Sequence, residues 1–140
     1  RLIDMGVEPF LVASTVRVVI GQRLVRKVCP RCRTSKKVAV TDLNPHLAQY
    51  IPDKKNITVY YGKGCEVCRN SGYLGRIGIF EVLVLNEEIK AAIVSKENSD
   101  QITQLAKAAG MTTLAQDGLQ KALEGKTTLE EVTRVTKTTL

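Results

Sequence analysis

Apolar and polar positions along the chain change character three times, and each change predicts a different kind of element. Gly6 reads as the end of a short helix. Glu8-Pro9 then restarts one with proline in the first turn, where its missing N–H costs least. From Pro9 to Lys27 the only breaker is Gly21. Val16, Val18, Val19 and Ile20 have the composition of a buried strand, but the uninterrupted length favours a helix. Asn44-Pro45 predicts a short helix to Tyr50, and Ile57 to Tyr61 a strand. Ile77 to Leu85 is an almost continuous apolar run, expected to be a buried strand, with Gly72 to Gly78 ahead of it as a loop.

Beyond Leu85 the pattern becomes that of short amphipathic helices with clear ends. Asn86 caps the first, with Glu87 and Glu88 in the turn where the helix dipole favours acids. A second runs from about Asp100 to Ala109 behind Ser99 and stops at Gly110. Thr113 with Gln116, and Thr128 with Glu131, have the spacing of capping boxes, and Gly125 closes the helix between them. The stripes Ile102, Leu105, Ala109; Leu119, Ala122, Leu123; and Leu129, Val132, Val135 predict the core of a small bundle.

Composition adds bounds. Of 140 residues, 44% are apolar and 25% charged, which excludes a disordered chain, and no apolar stretch is long enough to span a bilayer. No charged-then-apolar leader opens the chain, and Arg1 begins inside an amphipathic pattern, as expected of a fragment that starts within a longer protein. The net charge of +7 lies entirely in the first forty residues, with nine bases against two acids. Arg23, Arg26, Lys27, Arg31, Arg33, Lys36 and Lys37 form its run. A nucleic-acid surface is one reading of it. A solvated face beside an anionic metal site is the other, with Lys27, Arg31, Arg33 and Arg69 offsetting four thiolates. The second fits better, because neither a recognition helix nor stacking aromatics accompany the run.

All four cysteines fall into two matched pairs, Cys29-Pro30-Arg31-Cys32 and Cys65-Glu66-Val67-Cys68, with 32 residues between them. Two residues between thiolates let both sulfurs of a tight turn face one ion, and two such turns complete a tetrahedral set for structural Zn²⁺. A disulfide framework and a thioredoxin-like redox pair are the alternatives; matched pairs suit a shared ion better than one reactive pair. Four protein sulfurs leave no position for water or substrate, so no catalytic metal is expected. His46, the only histidine, stays outside this set. No phosphate-binding Gly-x-x-x-x-Gly-Lys-Ser/Thr loop occurs, and Gly62-Lys63-Gly64 is too short to replace one. Arg76, in the Gly-rich segment 72–78, is a candidate phosphate contact.

Several stretches together resemble a known family: Arg1 to Ser14, Gln22-Arg-Leu-Val-Arg-Lys-Val-Cys-Pro-Arg-Cys, Gly64 to Leu83, Thr112 to Leu119 and Thr127 to Thr136. They are similar to the C-terminal part of the hexameric ATPases that drive bacterial type II secretion and type IV pilus assembly. Residues 34 to 60 carry no motif of that family. The resemblance implies an α/β fragment with three parts. Residues 1–28 and 74–94 would be the end of a RecA-like ATPase domain, 29–73 an inserted tetracysteine zinc subdomain, and 95–140 a small all-α C-terminal domain. It implies ATP and Mg²⁺ as cofactors of the intact protein only, since the phosphate loop would lie upstream, and hence no catalytic residue here. Arg76, Gln22 and Arg23 become candidates for roles near the nucleotide or a subunit interface. The implied partners are the chain's own N-terminal ATPase half, a homo-hexamer and an inner-membrane platform. The implied location is cytoplasmic, peripheral to that membrane, with no specific nucleic acid. A free-standing zinc-ribbon module binding nucleic acid through residues 23–37 is the competing class.

Overall fold

The structure is a computed structural model and describes residues 1–137. In chain order it contains α1 (Pro9–Thr15), β1 (Val18–Val28), β2 (Arg33–Ala39), α2 (Pro45–Ala48), β3 (Asn56–Gly62) and β4 (Tyr73–Val84). Four helices follow: α3 (Glu87–Val94), α4 (Ser99–Ala108), α5 (Leu114–Leu123) and α6 (Leu129–Thr136). β1 pairs with β4, and β2 with β3 antiparallel from Arg33↔Gly62 to Ala39↔Asn56. Among the described residues no helix is long and apolar enough to cross a membrane.

The chain forms two compact units, residues 1–21 with 81–113 and residues 22–80 with 114 onward. In the first, α1, α3 and α4 enclose Val12, Ala13, Leu85, Ile89, Ile93 and Ala106, with Ile102 and Leu105 packed alongside. Asn86 caps α3 by accepting the Ile89 N–H at 2.9 Å. In the second, Leu47 of α2, Ala115 and Ala122 of α5 and Val132 of α6 form a small nucleus. Gly118 on α5 faces Val132, where a Cβ would come within 2.7 Å of a methyl group.

Several expectations change. The helix expected from Pro9 to Lys27 ends at Thr15, because the Ser14 and Thr15 hydroxyls turn back to the Leu11 carbonyl and β-branched residues follow. Residues 18–28 are then a strand, the alternative their composition suited; pairing with β4 outweighs the length argument. The residues ending at Gly6 form a turn with φ +90 rather than a helix. The apolar run 77–85 is a strand but not buried throughout: Ile79 and Leu85 are inside, while Phe80, Val82 and Val84 are exposed, as in a strand with one covered face. Residues 73–78, expected as a loop, already belong to that strand. Asn98 rather than Ser99 caps α4, accepting the Gln101 N–H at 2.9 Å, and Ala106 takes the buried place expected for Ala109. The late helices do not share one core: α3 and α4 lie in the first unit, α5 and α6 in the second.

Candidate metal centre

Two turns carry the cysteines, one between β1 and β2 and the other, a single 3₁₀ turn at Glu66–Cys68, between β3 and β4. The β2–β3 ladder closes the 32-residue interval, pairing Arg33, just after Cys32, with Gly62, just before the second turn. Backbone bonds fix the turns to each other: Cys29 N–H donates to Gly72 O at 3.0 Å and Lys63 N–H to Cys32 O at 3.1 Å. Gly62 and Gly72 make the approach possible. A Cβ on either would collide with the backbone of the other.

The result is four sulfurs within 4.8 Å of one another. Cys29 to Cys65 and Cys32 to Cys68 span 3.9 Å, and Cys65 to Cys68 spans 3.7 Å. A tetrahedron with metal–sulfur bonds of ~2.3 Å has edges of ~3.8 Å. The donor set therefore fits a thiophilic ion such as zinc and could hold one. Backbone N–H groups point at the sulfurs as they do at thiolates: Gly64 to Cys32 at 3.3 Å, Cys65 to Cys68 at 3.2 Å and Gly72 to Cys68 at 3.3 Å. Burial and the neighbouring sulfurs push the Cys32 thiol up to about 11. Burial opposes ionisation of Cys68 too, but the Cys65 and Gly72 N–H donors outweigh it and bring that thiol down to about 6. A cation among them stabilises all four as thiolates.

Arg33, one of the bases expected to offset those thiolates, and Lys36 and Arg26 from the same basic run are engaged elsewhere. Arg33 lies over the Tyr60 ring, 5.5 Å from its centroid, and reaches Gly125 O at 3.4 Å. Lys36 lies over Tyr61 at 5.7 Å. Arg26 pairs with Glu131, which is only 2% exposed. Glu131 takes the Arg26 guanidinium at 2.7 Å, the Arg26 backbone N–H at 2.8 Å and Arg134 through two bonds of 3.1 and 2.9 Å. Burial alone would raise its carboxyl, but Arg134 and Arg26 hold it down at about 2. The capping spacing predicted one half of this arrangement: Thr128 does accept the Glu131 N–H at 3.2 Å. It did not predict that the Glu131 side chain turns to β1 rather than serving as the reciprocal cap. The free-standing signal for that was the basic run itself, which contains Arg26.

Arg76 sits exposed on β4. Gln22 and Arg23 sit exposed on β1, with Arg23 donating to the neighbouring Gln22 carbonyl at 3.3 Å. The Gln22 amide lies against Gly78. Arg76 lines a cleft that neither of the other two borders.

A family model for Type II/IV secretion system proteins matches residues 1–134. The Type IV pilus assembly ATPase PilB of Thermus thermophilus is 44% identical over 132 residues, which cover 94% of this chain and 15% of that protein. Type II secretion system protein E of Dickeya dadantii is 42% identical over 98% of this chain and 26% of its own length. For the Type IV pilus assembly ATPase TfpB of Acinetobacter baylyi the figures are 40%, 96% and 23%. The chain thus spans between about a seventh and a quarter of these relatives.

Proposed function

Because this chain belongs to the Type II/IV secretion system protein family, we propose that it is the C-terminal portion of a cytoplasmic motor ATPase powering type IV pilus assembly or type II secretion. The observation that carries the proposal is the alignment over nearly the whole chain with proteins named for those two activities. In the whole protein, a preceding half would bind ATP and Mg²⁺, six copies would form a ring, and the ring would act on an inner-membrane platform. Residues 1–28 with 74–94 would complete a RecA-like domain, and the helices of 95–140 would follow it, divided between the two compact units. The exposed Val18, Val19, Ile20, Val82 and Val84 support this reading, since a two-stranded sheet leaves apolar surface that a larger sheet would cover.

The tetracysteine set would hold a structural Zn²⁺ and act as a rigid insert. Its sulfurs have no open position for substrate, so its contribution is to folding. Arg76, Gln22 and Arg23 would serve near the nucleotide or a subunit interface. Two measurements test the proposal. Elemental analysis of the reduced chain, with a thiol count before and after chelation, should find one zinc per chain and thiols appearing only as metal leaves. In the full-length protein, Arg76→Ala should lower ATPase turnover or hexamer formation; unchanged values of both would remove that residue's role.

A further inference from the structure

In the second unit, a cleft of about 690 Å³ is bordered by Arg26 from β1, Tyr73 and Arg76 from β4 and Arg134 from α6. We propose that this cleft binds a phosphate-class dianion, and that Glu131 is the residue positioning two of its three guanidiniums.

The charge balance selects the ligand class. Arg26 and Arg134 share the one buried carboxylate of Glu131, and Arg76 borders the same cleft, so guanidiniums outnumber carboxylates in its lining. Among the described residues Arg76 has no carboxylate partner. A phosphate group carries about −1.5 to −2 at neutral pH and presents three acceptor oxygens, so one such group suits several converging guanidiniums better than a single carboxylate does.

Geometry separates this cleft from an ordinary basic surface. Arg26 is fixed from two sides: its guanidinium lies 4.1 Å from the Tyr73 ring centroid and bonds Glu131 at 2.7 Å. It nevertheless stays half exposed, with four of its five N–H groups not committed to Glu131. Arg134 is gripped by the same carboxylate through a fork of two bonds. Because Glu131 is 2% exposed, water competes little for its oxygens, although both guanidiniums remain more than half exposed. Guanidiniums held before the ligand arrives lose less side-chain freedom on binding it.

The inference takes Arg76 from the reading above but requires neither hexamer nor hydrolysis. It is tested on the zinc-loaded chain by calorimetric titration with inorganic phosphate, pyrophosphate, ADP and, as control, glutarate, at constant ionic strength. Saturable one-to-one binding of inorganic phosphate is expected, with pyrophosphate also bound and the dianion glutarate at least about tenfold weaker than inorganic phosphate. ADP tighter than pyrophosphate would identify a nucleotide as the source of the phosphate, and equal affinity a free anion. Two variants read positioning apart from charge. Arg134→Lys keeps the charge but loses the fork, and Glu131→Gln makes the cleft one charge more positive while releasing both guanidiniums. A positioned site binds pyrophosphate about tenfold more weakly in each, whereas a merely basic surface binds unchanged in the first and tighter in the second. The second outcome, no saturable binding, or equal affinity for glutarate would overturn the proposal. Pyrophosphate binding lost in Arg76→Ala, with full ATPase turnover and hexamer formation in the same variant, would leave this site standing and remove the nucleotide or interface role.

Discussion

Six buried residues hold the first unit together, all of them aliphatic and drawn from α1, α3, α4 and the residue after β4. The second unit buries the cluster Leu47, Ala115, Ala122 and Val132 and, elsewhere, Val25, Val28, Ile57, Val59, Ile79 and Leu119, but it buries Cys29, Cys68, Thr127 and Glu131 along with them. Non-directional packing accepts gradual damage, because neighbouring side chains relax around a lost methyl. A thiolate cluster and a buried carboxylate do not, since each is favourable only when complete and very unfavourable when a partner is missing. One chain thus contains a unit of ordinary packing and a unit that adds to its apolar packing a set of polar, all-or-none groups. The second is also the one that brings together residues far apart in sequence: Arg26 and Glu131 are 105 positions apart.

The largest effect expected from this contrast is on the metal centre. If the four cysteines hold an ion, Cys29→Ser or chelation should release it and abolish amide-exchange protection in β2, β3 and α6, while α3 keeps most of its own. A structural metal contributes on the order of 10 kcal/mol at such sites. Equal loss of protection in both units would show that they fold as one and would end the distinction.

Ile89→Ala probes the other side. Ile89 is fully buried, so the change should cost about 2 to 5 kcal/mol, read as a lower denaturation midpoint, with zinc content unaltered. Metal loss on this substitution would couple the units.

A smaller effect should follow pH through Glu131. Its carboxyl lies near 4.5 when unfolded and about 2 when folded, so its stabilisation is complete above pH 4.5 and fades as pH falls toward 2. Acid also protonates thiolates, so the quantity to measure is the stability difference between the unmodified chain and Glu131→Gln. That difference should be constant above pH 5 and shrink below it; a difference independent of pH would mean the arginines do not hold this carboxylate ionised.

How much of this was legible beforehand depends on the reach of each signal. The cysteine pairs were legible because the spacing that turns two sulfurs to one point is contained in four residues. Caps at Asn86 and Thr128 were legible for the same reason: an Asn or Thr side chain reaches the N–H three residues on, whatever lies elsewhere. Residues 18–28 were not, because β-branched composition and uninterrupted length pointed in opposite directions, and only the partner strand decides between them. Nor was the destination of Glu131, whose side chain satisfies a capping spacing in sequence and an arginine pair in space.

The amino-acid sequence by itself therefore determined the local devices: knuckle turns, helix caps and helix stripes. Tertiary structure alone decided that 18–28 extends as a strand, that α4 joins one unit while α5 and α6 join the other, and that Arg26, Arg76 and Arg134 border one cleft. Devices of the first kind are complete within about one turn of chain. Those of the second depend on which distant group arrives to exclude water or supply a counter-charge, and no local pattern contains that information.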